Sequence, residues 1–124
     1  MLGHGFSLLD YGLVNPYFHE ILFSIAVGTV IYYHHWAATL AAQDQMTEDM
    51  LPRLENITHD GAAYLNEADF QLPNFQDTLY GDNYLKLPSI KHKYDPTGLF
   101  YARTAVGSEG WMEQSDGRLC KVAK

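Results

Sequence analysis

The sequence predicts an α+β chain, and three observations predict it. An apolar run with strand character, Ile21 to Tyr33, is followed by helical periodicity from Ala37 to about Ile57. A second helical pattern covers Asn83 to Tyr94, and the strand-like segments are too few to form a sheet covered on both faces. The chain therefore reads as α+β and as part of something larger. Its 124 residues suffice for one small core, and 47% hydrophobic with 19% charged residues is a globular composition.

Residues 1–14, rich in Gly and Leu, read as irregular or extended. Asn15-Pro16 is a helix start, because an Asn cap satisfies an orphan amide and Pro fits the first helical position. The short helix is expected to carry Tyr17 to about Leu22. The run that follows contains Val27, Val30, Ile31, Tyr32 and Tyr33, and its 13 residues are interrupted by Ser24, Gly28 and Thr29. A transmembrane helix needs about 20 apolar residues, so this run reads as a buried strand.

From Ala37 onward Ala and Gln are plentiful, and Met46, Met50, Leu54 and Ile57 step by three or four residues. Pro52 predicts a kink or two short helices. His59-Asp60-Gly61 supplies a turn, Ala62 to Ala68 a short extended segment, and Leu72-Pro73-Asn74 a loop. The helix over Asn83–Tyr94 places Tyr84, Leu87, Ile90 and Tyr94 on one face and ends at Asp95-Pro96-Thr97-Gly98. A short apolar segment, Leu99-Phe100-Tyr101, leads into a tail punctuated by Gly107, Gly110 and Gly117.

Charge and cysteine content narrow the function. With 15 acids against 8 bases the net charge is −7, which excludes a nucleic-acid footprint and a polybasic membrane anchor. The lone Cys120 excludes an internal disulfide framework and a cysteine-rich zinc site. No basic segment precedes an apolar run and a small-residue cleavage site, so no signal peptide is expected; with none, the glycosylation sequon Asn56-Ile57-Thr58 carries no weight. Nine tyrosines, each with a broad apolar face and a hydroxyl, suit a ligand pocket or an interface as well as an ordinary surface.

Four clusters could carry chemistry. Gly3-His4-Gly5 lacks the strand–turn–helix context of a phosphate cradle. His34 and His35, adjacent on a strand, would point to opposite faces, and no acid at helical spacing completes a metal site. In an extended Tyr64–Asp69 segment, Tyr64 and Asn66 share one face, a phenol beside a carboxamide suited to a flat polar heterocycle. Glu67 and Asp69 share the other, suited either to proton transfer or to a plain salt bridge. Tyr80-Gly81-Asp82-Asn83-Tyr84 sets an amide and phenols at a helix N-terminus, which favours an electron-rich ligand edge or serves simply as a cap.

Read in order, Ala63-Tyr64-Leu65-Asn66-Glu67-Ala68-Asp69, Tyr80-Gly81-Asp82-Asn83-Tyr84 and Ile90-Lys91-His92-Lys93-Tyr94-Asp95-Pro96 resemble the closing module of berberine-bridge-enzyme-like flavoproteins. The tail from Leu99 to Glu109, and Asp116-Gly117-Arg118-Leu119-Cys120, resemble the fungal branch of that family. The resemblance implies a vanillyl-alcohol-oxidase-type architecture. Residues 1–36 would then close the antiparallel sheet of a substrate domain, and residues 37–124 would form the C-terminal module. It also implies FAD as cofactor, a flavin-binding domain in cis or in trans as partner, and a small organic metabolite as substrate. Relatives are often secreted, and fungal ones often serve secondary metabolism.

Carried over by position, Tyr64 matches a substrate-side tyrosine, and Asn66 and Asn83 match asparagines close to the flavin, with Tyr84 beside them. Glu67 stands where many relatives have a tyrosine acting as base or its helper; a partly desolvated carboxylate could take that role. Pro88 falls inside the expected helix, where relatives carry an apolar residue, and predicts a bend. The family's flavin-attachment motifs are absent from this sequence, and Cys120 does not stand in one. Two readings follow: a portion of an FAD-dependent oxidoreductase, or a non-catalytic remnant or accessory protein that keeps the module and binds no flavin.

Overall fold

The computed structural model describes residues 14–58 and 61–122. Three α-helices, α1 (Trp36–Gln45), α2 (Leu51–Thr58) and α3 (Leu87–Tyr94), are followed by a two-stranded antiparallel sheet, β1 (Trp111–Glu113) and β2 (Leu119–Lys121). The α+β expectation holds. Between the helices the chain makes short 3₁₀ and π turns that fix the positions of its polar side chains.

Asn15 starts a helical turn as expected: its side-chain oxygen accepts from the Tyr17 amide at 3.0 Å and Pro16 occupies the first position. The turn is 3₁₀ and runs only Pro16–His19, short of the expected Leu22. The buried strand expected over Ile21–Tyr33 does not form. Among the described residues this run is neither strand nor helix, and it is exposed, Leu22 at 95% and Phe23, Ile25, Val30 and Ile31 well over half. A strand requires lateral amide and carbonyl partners, and among the described residues β1 and β2 pair only with each other, Met112 opposite Cys120. No helix among the described residues is long and apolar enough to cross a membrane.

His35, expected at a strand end, instead caps α1, its Nδ1 accepting from the Ala38 amide at 3.1 Å. Buried Thr39 fastens the preceding turn, its hydroxyl accepting from the Tyr32 amide at 3.0 Å. The interruption expected at Pro52 takes the form of a π turn, Met46–Met50, between α1 and α2. There the Leu51 amide donates to the Met46 carbonyl, five residues back. Proline lacks an amide hydrogen, and its ring crowds the carbonyl four residues earlier. One extra residue in the preceding turn relieves both problems. The expected turn at His59-Asp60-Gly61 lies largely outside the described residues.

The core is small. Leu72, Leu79 and Tyr80 are buried, with Ala63, Ala68, Phe75, Tyr84, Leu87 and Val106 packed on them. A second π turn, Gln76–Tyr80, ends at Gly81, whose φ of 53° lies in the region that favours glycine. A 3₁₀ turn, Gly81–Leu85, leads into α3, so the single helix expected over Asn83–Tyr94 is two pieces. Pro88 therefore sits in the first turn of α3, where its missing amide hydrogen has no partner to lose, and bends nothing. Asp95 ends α3, its carboxylate accepting from Lys91 Nζ and from the Leu99 and Phe100 amides.

The exposed run generates a prediction. Apolar surface of this extent drives association, so the chain is expected to self-associate at micromolar concentration. Replacing Phe23, Ile25 and Ile31 together by Ser should shift it toward monomer in sedimentation velocity. An unchanged distribution would mean that another surface drives association.

Candidate functional site

Ala63 enters the candidate region on a backbone bond, its amide donating to the Thr78 carbonyl at 3.0 Å. Tyr64 has an extended backbone, but Leu65–Glu67 then form a 3₁₀ turn closed by the Glu67 amide on the Tyr64 carbonyl at 2.9 Å. The expected extended segment is therefore corrected to a turn. With it goes the argument that Glu67 faces away from Tyr64, because opposite faces follow only from a period of two. The pairing of Tyr64 with Asn66 survives: Asn66 Nδ2 donates to the Tyr64 hydroxyl at 3.2 Å.

Both members of that pair are exposed, Tyr64 at 48%. One N–H of the Asn66 carboxamide is engaged, which leaves a donor and an acceptor for an outside partner. Glu67 is also exposed, so the described residues do not supply the desolvation that would suit it to base duty. Asp69 parts company with Glu67. Its carboxylate accepts from the Thr47 hydroxyl at 2.5 Å and the Gln71 amide at 2.9 Å, fastening this segment to the first π turn.

Asn83 and Tyr84 are engaged within the chain. Asn83 Nδ2 donates to the Val14 carbonyl at 2.8 Å. The Tyr84 hydroxyl accepts from the Gly107 amide at 3.1 Å and donates to the Glu109 carboxylate, with oxygens at 2.7 and 2.9 Å. Its ring lies edge-on to Phe75 and 5.5 Å from the ring of Tyr80, whose hydroxyl donates to the Thr104 carbonyl at 3.1 Å. Burial raises both phenols above the ordinary tyrosine value. Tyr84 adds to the rise at Tyr80; at Tyr84 the Gly107 amide opposes the rise and Glu109 reinforces it.

Among the described residues no group of three or more His, Cys, Asp or Glu could hold a metal. Gly3-His4-Gly5 lies outside the described residues. A cleft of about 210 Å³ between α3 and β1, walled by Pro88, Lys91, Tyr101 and Trp111, touches none of the five candidate residues. The sequence reading also gave Asn15 no role beyond its cap. Its amide group donates to the Asp77 and Thr78 carbonyls at 2.9 and 3.0 Å, a long-range use that no local pattern announces.

All five candidates fall inside residues 63–107, which match the family model described as "Berberine and berberine like". The chain carries the berberine-like module of fungal VAO-type FAD-linked oxidoreductases. It is 44% identical over 111 residues to the FAD-linked oxidoreductase sor8 of Hypocrea jecorina, covering 89% of this chain and 19% of that one. It is 43% identical over 104 residues to the bifunctional decalin synthase calF of Penicillium decumbens, covering 80% of this chain and 18% of the relative. Among solved structures, the VAO-type flavoprotein MtVAO615 of Myceliophthora thermophila superposes with a TM-score of 0.70 at 37% identity, over 77% of this chain and 17% of that one. The chain thus spans under a fifth of the length of these relatives.

The buried phenols of the berberine-like module set its behaviour in alkali. A phenol whose pKa is raised on folding binds its proton more tightly in the folded state. The resulting stabilisation is complete below the ordinary value of about 10 and is lost as pH rises through the folded value. Urea unfolding monitored from neutral pH into strong alkali should show stability falling only above that point, in step with phenolate absorbance. Tyr84→Phe should flatten part of the fall; an unchanged slope would place the titration elsewhere.

Proposed function

We propose that this module forms the wall of a flavin site in an FAD-dependent oxidoreductase that oxidises a small organic metabolite, in fungal secondary metabolism. The observation that carries the reading is the exposed Tyr64–Asn66 pair, a phenol and a carboxamide 3.2 Å apart within the berberine-like segment. Bound FAD would supply the hydride acceptor for this oxidation. The chain's own residues orient and deprotonate. Asn66 offers a donor and an acceptor to the pyrimidine edge of the flavin, which presents both kinds of group. Tyr64 meets the substrate side, where its hydroxyl orients the donor or, as the phenolate, takes its proton.

Asn83 and Tyr84 are the more internal members of this site. Asn83 would stand close to the flavin while its Nδ2 holds Val14, and Tyr84 would hold the turn in place through Gly107 and Glu109. Glu67 is the second candidate base, which requires that a neighbouring domain cover it. In this division residues 1–36 belong with a substrate domain and residues 37–124 with the closing module. The described residues offer no cradle for the pyrophosphate, so the module needs a flavin-binding domain, in cis or in trans.

Two measurements test this reading. The purified chain is expected to elute from gel filtration without a flavin absorbance band. Grafted in place of the corresponding segment of sor8, it should restore flavin binding and turnover. In that graft Tyr64→Phe should lower turnover by about 10²–10⁴-fold, the usual contribution of a general base, at full flavin content. Glu67→Gln should lower turnover by less, and Asn83→Ala should lower both turnover and flavin content. Unchanged turnover in Tyr64→Phe would mean that the tyrosine only packs. A graft that folds but takes up no flavin would favour the non-catalytic accessory reading.

A further inference from the structure

We infer that Asn15 is a positioning residue: it ties the Tyr64–Asn66 turn, through the Thr78 carbonyl, and the Asn83–Tyr84 turn, through its contact with Gly81, to one fixed point. This rests on the flavin-site reading of those two turns. Asn15 lies some 50 residues before Tyr64 in the chain and is 6% exposed. Its side-chain hydrogen-bonding groups are used on three backbone partners. The oxygen accepts from the Tyr17 amide at 3.0 Å, and the nitrogen donates to the carbonyls of Asp77 and Thr78 at 2.9 and 3.0 Å.

The Thr78 carbonyl is shared. Its second donor is the amide of Ala63, at 3.0 Å, the residue immediately before Tyr64. A carbonyl has two lone pairs, so a single oxygen joins the start of the Tyr64–Asn66 turn to the Asn15 side chain. On its other side Asn15 abuts the turn that carries Asn83. A Cβ on Gly81 would stand 2.9 Å from Asn15 Oδ1, so the two groups touch with no room for a side chain between them. Gly81 also has a φ of +53°, a conformation that residues with a side chain rarely adopt. The residue before Asn15 closes the loop, since the Val14 carbonyl accepts from Asn83 Nδ2 at 2.8 Å.

The 76–81 backbone leads into the Asn83 turn and meets the residue before Tyr64 at the Thr78 carbonyl, and Asn15 Nδ2 grips it at the Asp77 and Thr78 carbonyls. The grip is specific to a carboxamide. Asp keeps the acceptor for Tyr17 but opposes two carbonyl oxygens with a carboxylate, and Ser reaches at most one of the two carbonyls. Loss of the grip should loosen both turns together while α3 and the β1–β2 hairpin, which it does not touch, stay as they are.

Segment-resolved hydrogen exchange on the full 124-residue chain tests this. Asn15→Asp is expected to speed exchange about tenfold, the equivalent of one net hydrogen bond, in peptides covering 63–68 and 81–86. Peptides from α3 beyond Ile90 and from the hairpin should be unchanged. Asn15→Ser should give the same pattern at smaller amplitude, and it serves if the Asp variant does not fold. Uniform acceleration over the whole chain, or acceleration of only one of the two turns, overturns the inference. In the sor8 graft, Asn15→Ser should also shift the flavin's absorbance maximum and reduction potential at unchanged melting temperature. A graft that binds no flavin speaks against the flavin-site reading alone, whereas flavin bound with an unshifted spectrum and potential speaks against Asn15.

Discussion

The carbonyl oxygen of Thr78 accepts from the Ala63 amide and from the Asn15 side chain, and so joins three stretches of chain that sequence distance keeps apart. Around it the backbone takes two windings in ten residues, the π turn Gln76–Tyr80 and then the 3₁₀ turn Gly81–Leu85. Asn15 holds two carbonyls of this stretch, that of Thr78 and that of Asp77, which also accepts from the Gly81 amide. Tyr80 and Tyr84 complete the arrangement from the opposite side, with rings in the core and hydroxyls on Thr104, Gly107 and Glu109.

This polar bracing matters because the apolar contribution is small. Among the described residues, three buried hydrophobic residues with six half-buried neighbours make a core, while Leu85, Tyr94, Leu99 and Phe100 remain largely exposed alongside the run from Leu22 to Tyr33. Each buried hydrogen bond contributes only about 1 kcal/mol net, but leaving one of its partners unpaired costs more. A module built this way keeps its turns in register through satisfied polar groups and presents its apolar faces outward. That is what a wall of a larger site requires.

How much of this was legible in the sequence depended on how local the signal was. Asn15-Pro16, the interruption at Pro52 and the stop at Asp95–Gly98 were readable because each acts on its own neighbours. The Tyr64–Asn66 pairing was also readable, although its stated reason, an extended backbone, was not the one that applies. The strand at Ile21–Tyr33 was misread because β-propensity reports fitness for a sheet and not the presence of a partner strand. The β1–β2 hairpin was missed although Asp116-Gly117 is a turn signal, with Gly117 at φ +82°. The second π turn and the reach of Asn15 to residues 77 and 78 leave no periodic trace, since they arise from contacts about 60 positions apart.

The π turn before Pro52 has a consequence for how this helical pair can vary. Each extra residue in a helix rotates all that follows by about 100° about the axis. With the bulge, Leu51, Pro52 and Glu55 of α2 line a small cleft with Leu72, Pro73 and Asn74. Removing one residue from Met46–Met50 would restore unbroken α-winding and swing that face of α2 away from the 72–74 loop. It would also move Thr47, which anchors Asp69 and Gln71. Chain length in this stretch is thus a phase setting, tolerant of substitution at its exposed positions and intolerant of a single insertion or deletion.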